Sequence, residues 1–147
     1  MALSVNSINL AAEAVFMKPY LFSFEKLTVW QLARQLTVDI YKRTVSFPAA
    51  EKYSLVSQIR RSAISIAANI AEGSSRTGVR DQAKFTTNAF SSLMELLNHL
   101  VIASDLEYMD AKELESYRER IQTLSVKLSN LKSSQLKKAG TRFPTTV

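Results

Sequence analysis

Between Leu114 and Leu131 the apolar residues Leu114, Tyr117, Ile121, Leu124, Leu128 and Leu131 recur in an unbroken alternation of steps of three and four. That spacing keeps returning to one side of an α-helix and scatters over both faces of a strand. Three further stretches carry the same signature. Val29, Ala33, Leu36 and Ile40 form a stripe flanked by Trp30, Thr37 and Tyr41. Val56, Ile59, Ala63, Ile66, Ala67 and Ile70 form a second, and Phe85, Ala89, Leu93, Leu96, Leu100 and Ala103 a third. The predicted helices run over about 27–43, 55–72, 78–106 and 111–133. Three Gly and three Pro in 147 residues are too few breakers for an all-β chain that turns every ten residues or so. The fold class is therefore all-α, and four amphipathic helices on short connections make an antiparallel up-down four-helix bundle the economical arrangement.

Punctuation supports these bounds. Ser46, Phe47 and Pro48 interrupt the pattern after the first helix. Gly73 is expected to close the second with a positive φ, which it can adopt without a Cβ penalty. Asp110 and Glu113 have the spacing of a capping box, with Met109 and Leu114 placed as a hydrophobic staple. One bundle domain is expected over 24–133, with 1–23 as a partly flexible N-terminal extension and 134–147 as a basic, flexible tail. The apolar piece Leu10–Met17 is interrupted by Glu13 and lacks a basic start, so neither a signal peptide nor a membrane span fits and a cytoplasmic protein is expected. Met1 and Met17 are the two candidate starts of translation.

Two helices carry more than a core stripe. On the third, Phe90, Met94, Leu97 and Val101 make a second apolar ridge turned roughly 100° from the first. On the second, only Arg60 and Arg61 are charged between Leu55 and Ala71, and the side away from the core holds Ser57, Ser65, Ala68 and Asn69. Solvated faces normally hold Lys and Glu, whereas small residues admit a second helix closely. A subunit interface of a homo-oligomer is one reading; a wide stripe buried inside a single bundle is the other.

Charge is segregated along the chain. It carries 19 Lys and Arg against 13 Asp and Glu, a net +6, which favours polyanionic partners without identifying one. Six acids lie between Asp105 and Glu119, against Lys112 and Arg118; from Arg120 onward there are six basic residues and no acid. Acids early and bases late in the fourth helix match its macrodipole, which accounts for much of the pattern. A second basic group, Lys52, Arg60, Arg61, Arg76, Arg80 and Lys84, spans the second helix and the turn after it, opposed by Glu72 and Asp81.

Catalytic chemistry finds little material. With no Cys and one His, the chain lacks thiol nucleophiles, disulfides, Cys-based zinc sites and His pairs. Glu72 and Glu95 are not followed by His at the third position, as di-metal helical bundles require, and His99 reads as structural or surface. No phosphate-binding loop, dinucleotide fingerprint, GxSxG or HExxH occurs. Trp30, Tyr41, Phe85 and Phe90 sit at helical spacing and read as packing residues. No enzyme, metal or cofactor is expected.

The run FPAAEKYSLVSQIRRSAISIAANIAEGSSR at 47–76 resembles the signature of the four-helix bundle family of proteins encoded in intervening sequences of bacterial 23S ribosomal RNA genes. The resemblance extends through FEKLTVWQLARQLTVDIY at 24–41 and FTTNAFSSLMELLNHLVIASDLEYM at 85–109. Ala67 stands where the family often has Pro, and Ser91 and Ser92 where it has a Gly-Ser pair. The resemblance implies a left-handed up-down bundle assembled as a homopentameric ring. It also brings in the related accessory proteins of diversity-generating retroelements, basic bundles that bind nucleic acid and associate with a reverse transcriptase. Gln58, Arg60, Arg61, Ser65, Asn69, Glu72 and Gly73 are the signature positions it marks, without a chemical role.

The functional expectation is a non-enzymatic homo-oligomer binding RNA or DNA through phosphates, with Arg60, Arg61, Arg76, Arg80 and Lys84 as contacts and Lys137 and Lys138 in support. Gln58, Ser65, Ala68, Asn69, Glu72, Phe90, Met94, Leu97 and Val101 are the expected subunit-interface residues. The alternative is a protein-interaction scaffold, for example an accessory subunit of a nucleic-acid enzyme such as a reverse transcriptase, with charge merely steering association.

Overall fold

The computed structural model describes residues 18–140. Among them are four long helices and no strands: α1 (Thr28–Thr44), α2 (Leu55–Ser74), α3 (Val79–Asp105) and α4 (Ala111–Gly140). Short 3-10 turns at Ser23–Lys26 and Ala49–Glu51 precede α1 and α2. All four stripes meet in one core, where Leu36, Ile66, Leu96 and Leu128 are at most 1% exposed. Full burial of such a side chain is worth about 1.5–3 kcal/mol, so the shared core dominates the stability of each helix.

Two expected ends are corrected. Gly73 does not cap α2 with a positive φ: no described glycine has one, and Gly73 is buried within the helix. A Cβ built there would stand 2.8 Å from the Phe85 Cβ, so the missing side chain lets α3 approach α2. The turn is closed instead by Ser75, whose hydroxyl donates to the Glu72 carbonyl at 2.7 Å. The fourth helix does not stop at 133. It runs to Gly140, so Lys137 and Lys138 stand on a helix rather than on a flexible tail. Thr86 of α3 donates to Gln135 Oε1 at 2.8 Å, which gives this extension a partner. Residues 1–17, with the apolar piece Leu10–Met17, and residues 141–147 lie outside the described range.

The predicted box at the start of α4 forms by half. The Glu113 N–H donates to Asp110 Oδ1 at 2.7 Å, while the Glu113 carboxylate reaches across to Arg43 at the end of α1. The Arg43 fork also donates to the Tyr108 carbonyl at 2.8 Å and to Ser46 Oγ at 2.9 Å, and lies over the Phe47 ring. Its pKa is held above the ordinary value, first by the hydrogen bond to Glu113. Beside it, Tyr108 O–H donates to Glu51 Oε1 at 3.0 Å, and Ser54 donates to the other carboxylate oxygen. One polar network thus ties the α1–α2 connection to the α3–α4 turn.

Candidate functional site

The basic residues singled out along the sequence meet different fates. Arg60 is engaged inside the molecule: its Nε donates to Thr44 Oγ1 at 2.9 Å, its NH2 to the Tyr41 carbonyl at 3.2 Å, and its guanidinium stacks on the Tyr41 ring at 4.6 Å. It covers the last carbonyls of α1, where a cation also suits the helix dipole. Arg76 bridges Glu72 at 2.8 Å and Asp81 at 3.7 Å and lies over Phe85 at 4.7 Å, bracing the α2–α3 turn. It keeps 42% of its side chain exposed. Arg61, Arg80 and Lys84 are exposed on α2 and α3.

Three contacts assemble the rest. Ser23 Oγ lies 3.3 Å from Ser74 Oγ, so the 3-10 turn with Lys26 sits against the end of α2. Arg76 occupies the connection that follows directly, and Arg80 the first turn of α3. The Thr86–Gln135 bond brings the last turns of α4 to the first turns of α3, and Lys132 lines a recess with Thr86, Thr87 and Phe90. Lys26, Arg76, Arg80, Lys84, Lys132, Lys137 and Lys138 therefore gather at one end of the molecule, opposed locally by Glu25, Glu72 and Asp81. Asp105, Glu107, Asp110, Glu113 and Glu115 lie at the other, around the α3–α4 turn, together with Lys42, Arg43, Lys52 and Lys112. Lys26 and Lys132 escaped the sequence reading because they join the cluster only through the register between elements far apart in sequence; counting that register along paired stripes is the signal for them.

The expected interface residues divide in the same manner. Ser65 and Ser92 hydroxyls meet at 2.8 Å across the α2–α3 seam, and the Asn69 amide donates to the Ser65 hydroxyl and carbonyl at 3.0 and 2.8 Å. Ser65 thus joins two helices within the chain, Asn69 bonds to it along α2, and Glu72 holds Arg76, while Gln58 and Ala68 remain exposed. Phe90 and Leu97 pack against the core, Val101 is half-buried and Met94 is 38% exposed. Ile64, Ile102 and Val126 add exposed apolar area at 46%, 40% and 54%.

A groove of about 660 Å³ beside α1 is lined by Leu21, Glu25, Trp30, Gln31, Arg34, Gln35, Val38 and Asp39, with Asp39 bonded to Arg120 at 2.9 Å. His99 is mostly covered, with Nε2 3.4 Å from Glu95 Oε1 one helical turn away. Among the described residues no three His, Asp or Glu converge as a metal ion requires, and no helix is long and apolar enough to cross a membrane.

Comparison with known proteins accords with this architecture. No curated protein sequence matches the chain. A crystal structure of a protein with unknown function from the S23 ribosomal protein family of Bacteroides thetaiotaomicron superposes with a TM-score of 0.64 at 23% identity, covering 71% of this chain and 97% of that one. That likeness concerns the fold. The family model described as 23S rRNA-intervening sequence protein matches residues 25–130, the span from the 3-10 turn through most of α4, and the chain belongs to that family.

Proposed function

We propose that this chain is a non-enzymatic cytoplasmic protein that assembles with itself as a pentameric ring of left-handed, up-down four-helix bundles and binds RNA or DNA through phosphates without reading sequence. The observation that supports this is the gathering of Arg80, Lys84, Lys132, Lys137 and Lys138 with Lys26 and Arg76 at one end, where they outnumber Glu25, Glu72 and Asp81. Clustered Lys and Arg neutralise phosphates and release counterions, which gives affinity without base readout. Arg60 leaves the contact set because its donors serve Thr44 and Tyr41. Self-association is supported by the exposed apolar side chains Ile64, Met94 and Ile102.

Light scattering behind a sizing column, with and without a pool of single-stranded and structured RNA, tests both halves. The expected result is a five-subunit mass that increases with RNA at low salt and reverts at moderate salt. A ring indifferent to RNA would hand the function to the scaffold reading, and a monomer would overturn the assembly.

A further inference from the structure

The segment before α1 carries aromatic residues with opposite fates. Phe24 turns inward and meets Trp30 edge to face, with centroids 5.0 Å apart. Tyr20 and Phe22 turn outward, 81% and 62% exposed, and meet each other at 5.2 Å with planes at 88°. Neither joins the core. The Phe22 end of the pair is nevertheless held: its N–H donates to Glu25 Oε2 at 2.8 Å, and the adjoining Ser23 contacts Ser74. The exposed pair therefore stands at the basic end, next to the 3-10 turn that holds Lys26 and against the end of α2 that leads to Arg76.

We infer that Tyr20 and Phe22 form a base-stacking platform that makes the basic end select single-stranded over duplex nucleic acid. The inference rests on the phosphate-binding function proposed above and adds the form of the ligand. Bases in a duplex hide their faces against each other, whereas an unpaired base offers a π-face to any exposed ring. Two rings set perpendicular present one face for stacking and one edge beside it. Cations flanking aromatic residues are what a sequence-tolerant single-strand site requires. Glu25 accepts from Phe22 N–H and keeps its negative charge, while Glu72 and Asp81 both face Arg76, so the cations that outnumber these acids supply the phosphate contacts.

The test measures fluorescence anisotropy of labelled oligouridylate, oligothymidylate and a duplex of equal length with the full chain over a salt series. The wild-type protein should prefer the single strands. Joint replacement Tyr20→Ala and Phe22→Ala should weaken single-strand binding by roughly tenfold or more while leaving duplex affinity and the salt slope unchanged. Tyr20→Phe should retain the affinity, and Arg80→Gln with Lys84→Gln should instead flatten the salt slope for every ligand. Equal binding of all ligands by wild-type and aromatic variants would overturn the platform and leave phosphate binding standing. A change in assembly mass without a change in affinity would make the pair a contact between copies and also overturn it. No binding of any ligand at low salt would overturn the proposed function and the platform with it.

Discussion

Gly73 and Glu107 hold backbone positions whose substitutions should act with opposite sign. In a helix interior an alanine is better than glycine by about 1 kcal/mol, and at Gly73, next to the last residue of α2, part of that preference remains. At Gly73 the new Cβ would meet the Phe85 Cβ at 2.8 Å, an atom fixed to its backbone that cannot swing away. Overpacking of that kind costs about 1–3 kcal/mol, so Gly73→Ala should lower stability in urea unfolding despite the better propensity. Gly140→Ala, with nothing within 4 Å, supplies the control and should be neutral or slightly stabilising. Glu107 shows the converse. It is the described non-glycine residue with positive φ, at 63°, where α3 ends and Tyr108 N–H returns to the Ala103 carbonyl at 2.9 Å. A left-handed conformation costs an L-residue roughly 1–2 kcal/mol, and glycine's greater freedom in the unfolded chain returns part of that. Glu107→Gly should therefore stabilise by up to about 1 kcal/mol, visible as a higher urea midpoint at unchanged slope.

At the scale of helices and connections, the network around Glu51 gives the loop pairing a pH signature. Ser54, then Tyr108, then the Leu55 N–H hold the Glu51 carboxyl below its ordinary 4.5, while the bond to Glu51 is the first cause raising Tyr108 above 10.0. A depressed carboxylate adds stability that is complete above its ordinary value and fades as pH falls through the folded one; a raised phenol adds stability that is complete below 10.0 and fades as pH climbs past it. NMR titration of the Glu51 side chain should show Ser54→Ala raising its midpoint more than Tyr108→Phe does. Equal midpoints in both variants and wild type would show that the bonds do not persist in solution. The helices themselves were legible because stripe residues such as Leu36, Ile66 and Leu128 have the period of the cores they enter. The ends were less so. Gly73 has the composition of a cap, and only the distance to Phe85 reveals a packing role. The last turns of α4 look like a polar tail until Gln135 meets Thr86 across the seam, a contact no local pattern encodes. The candidate site was half legible for the same reason: charge on Arg80 and Lys84 is written in the sequence, whereas the engagement of Arg60 with Thr44 depends on tertiary register.

For the whole molecule, the disposition of exposed flanks decides what kind of assembly is available. Ala68 is exposed on the outside of α2, whereas Met94 is exposed on the ridge whose neighbours Phe90 and Leu97 pack inward beside α4. Helical arithmetic puts these flanks on different sides of the molecule, since Ser65 turns toward α3 at Ser92 while Phe90 borders Leu128 and Ser129. A ring of five requires a heterologous interface, in which one flank of each copy meets a different flank of the next. If the proposed ring uses these two flanks, Ala68→Glu damages one half of every interface and Met94→Glu the other half. Each variant alone should then run as a monomer in light scattering. Mixed together, the Met94→Glu protein still offers an intact α2 flank and the Ala68→Glu protein an intact α3 flank, so one good interface can form between them. Neither resulting free end has a partner, and the mixture should stop at a one-to-one dimer instead of closing. An isologous pair built on one flank behaves otherwise, because one variant would stay assembled and mixing would create nothing new. Full assembly of both variants would place the interface on other surfaces and remove these flanks from the ring.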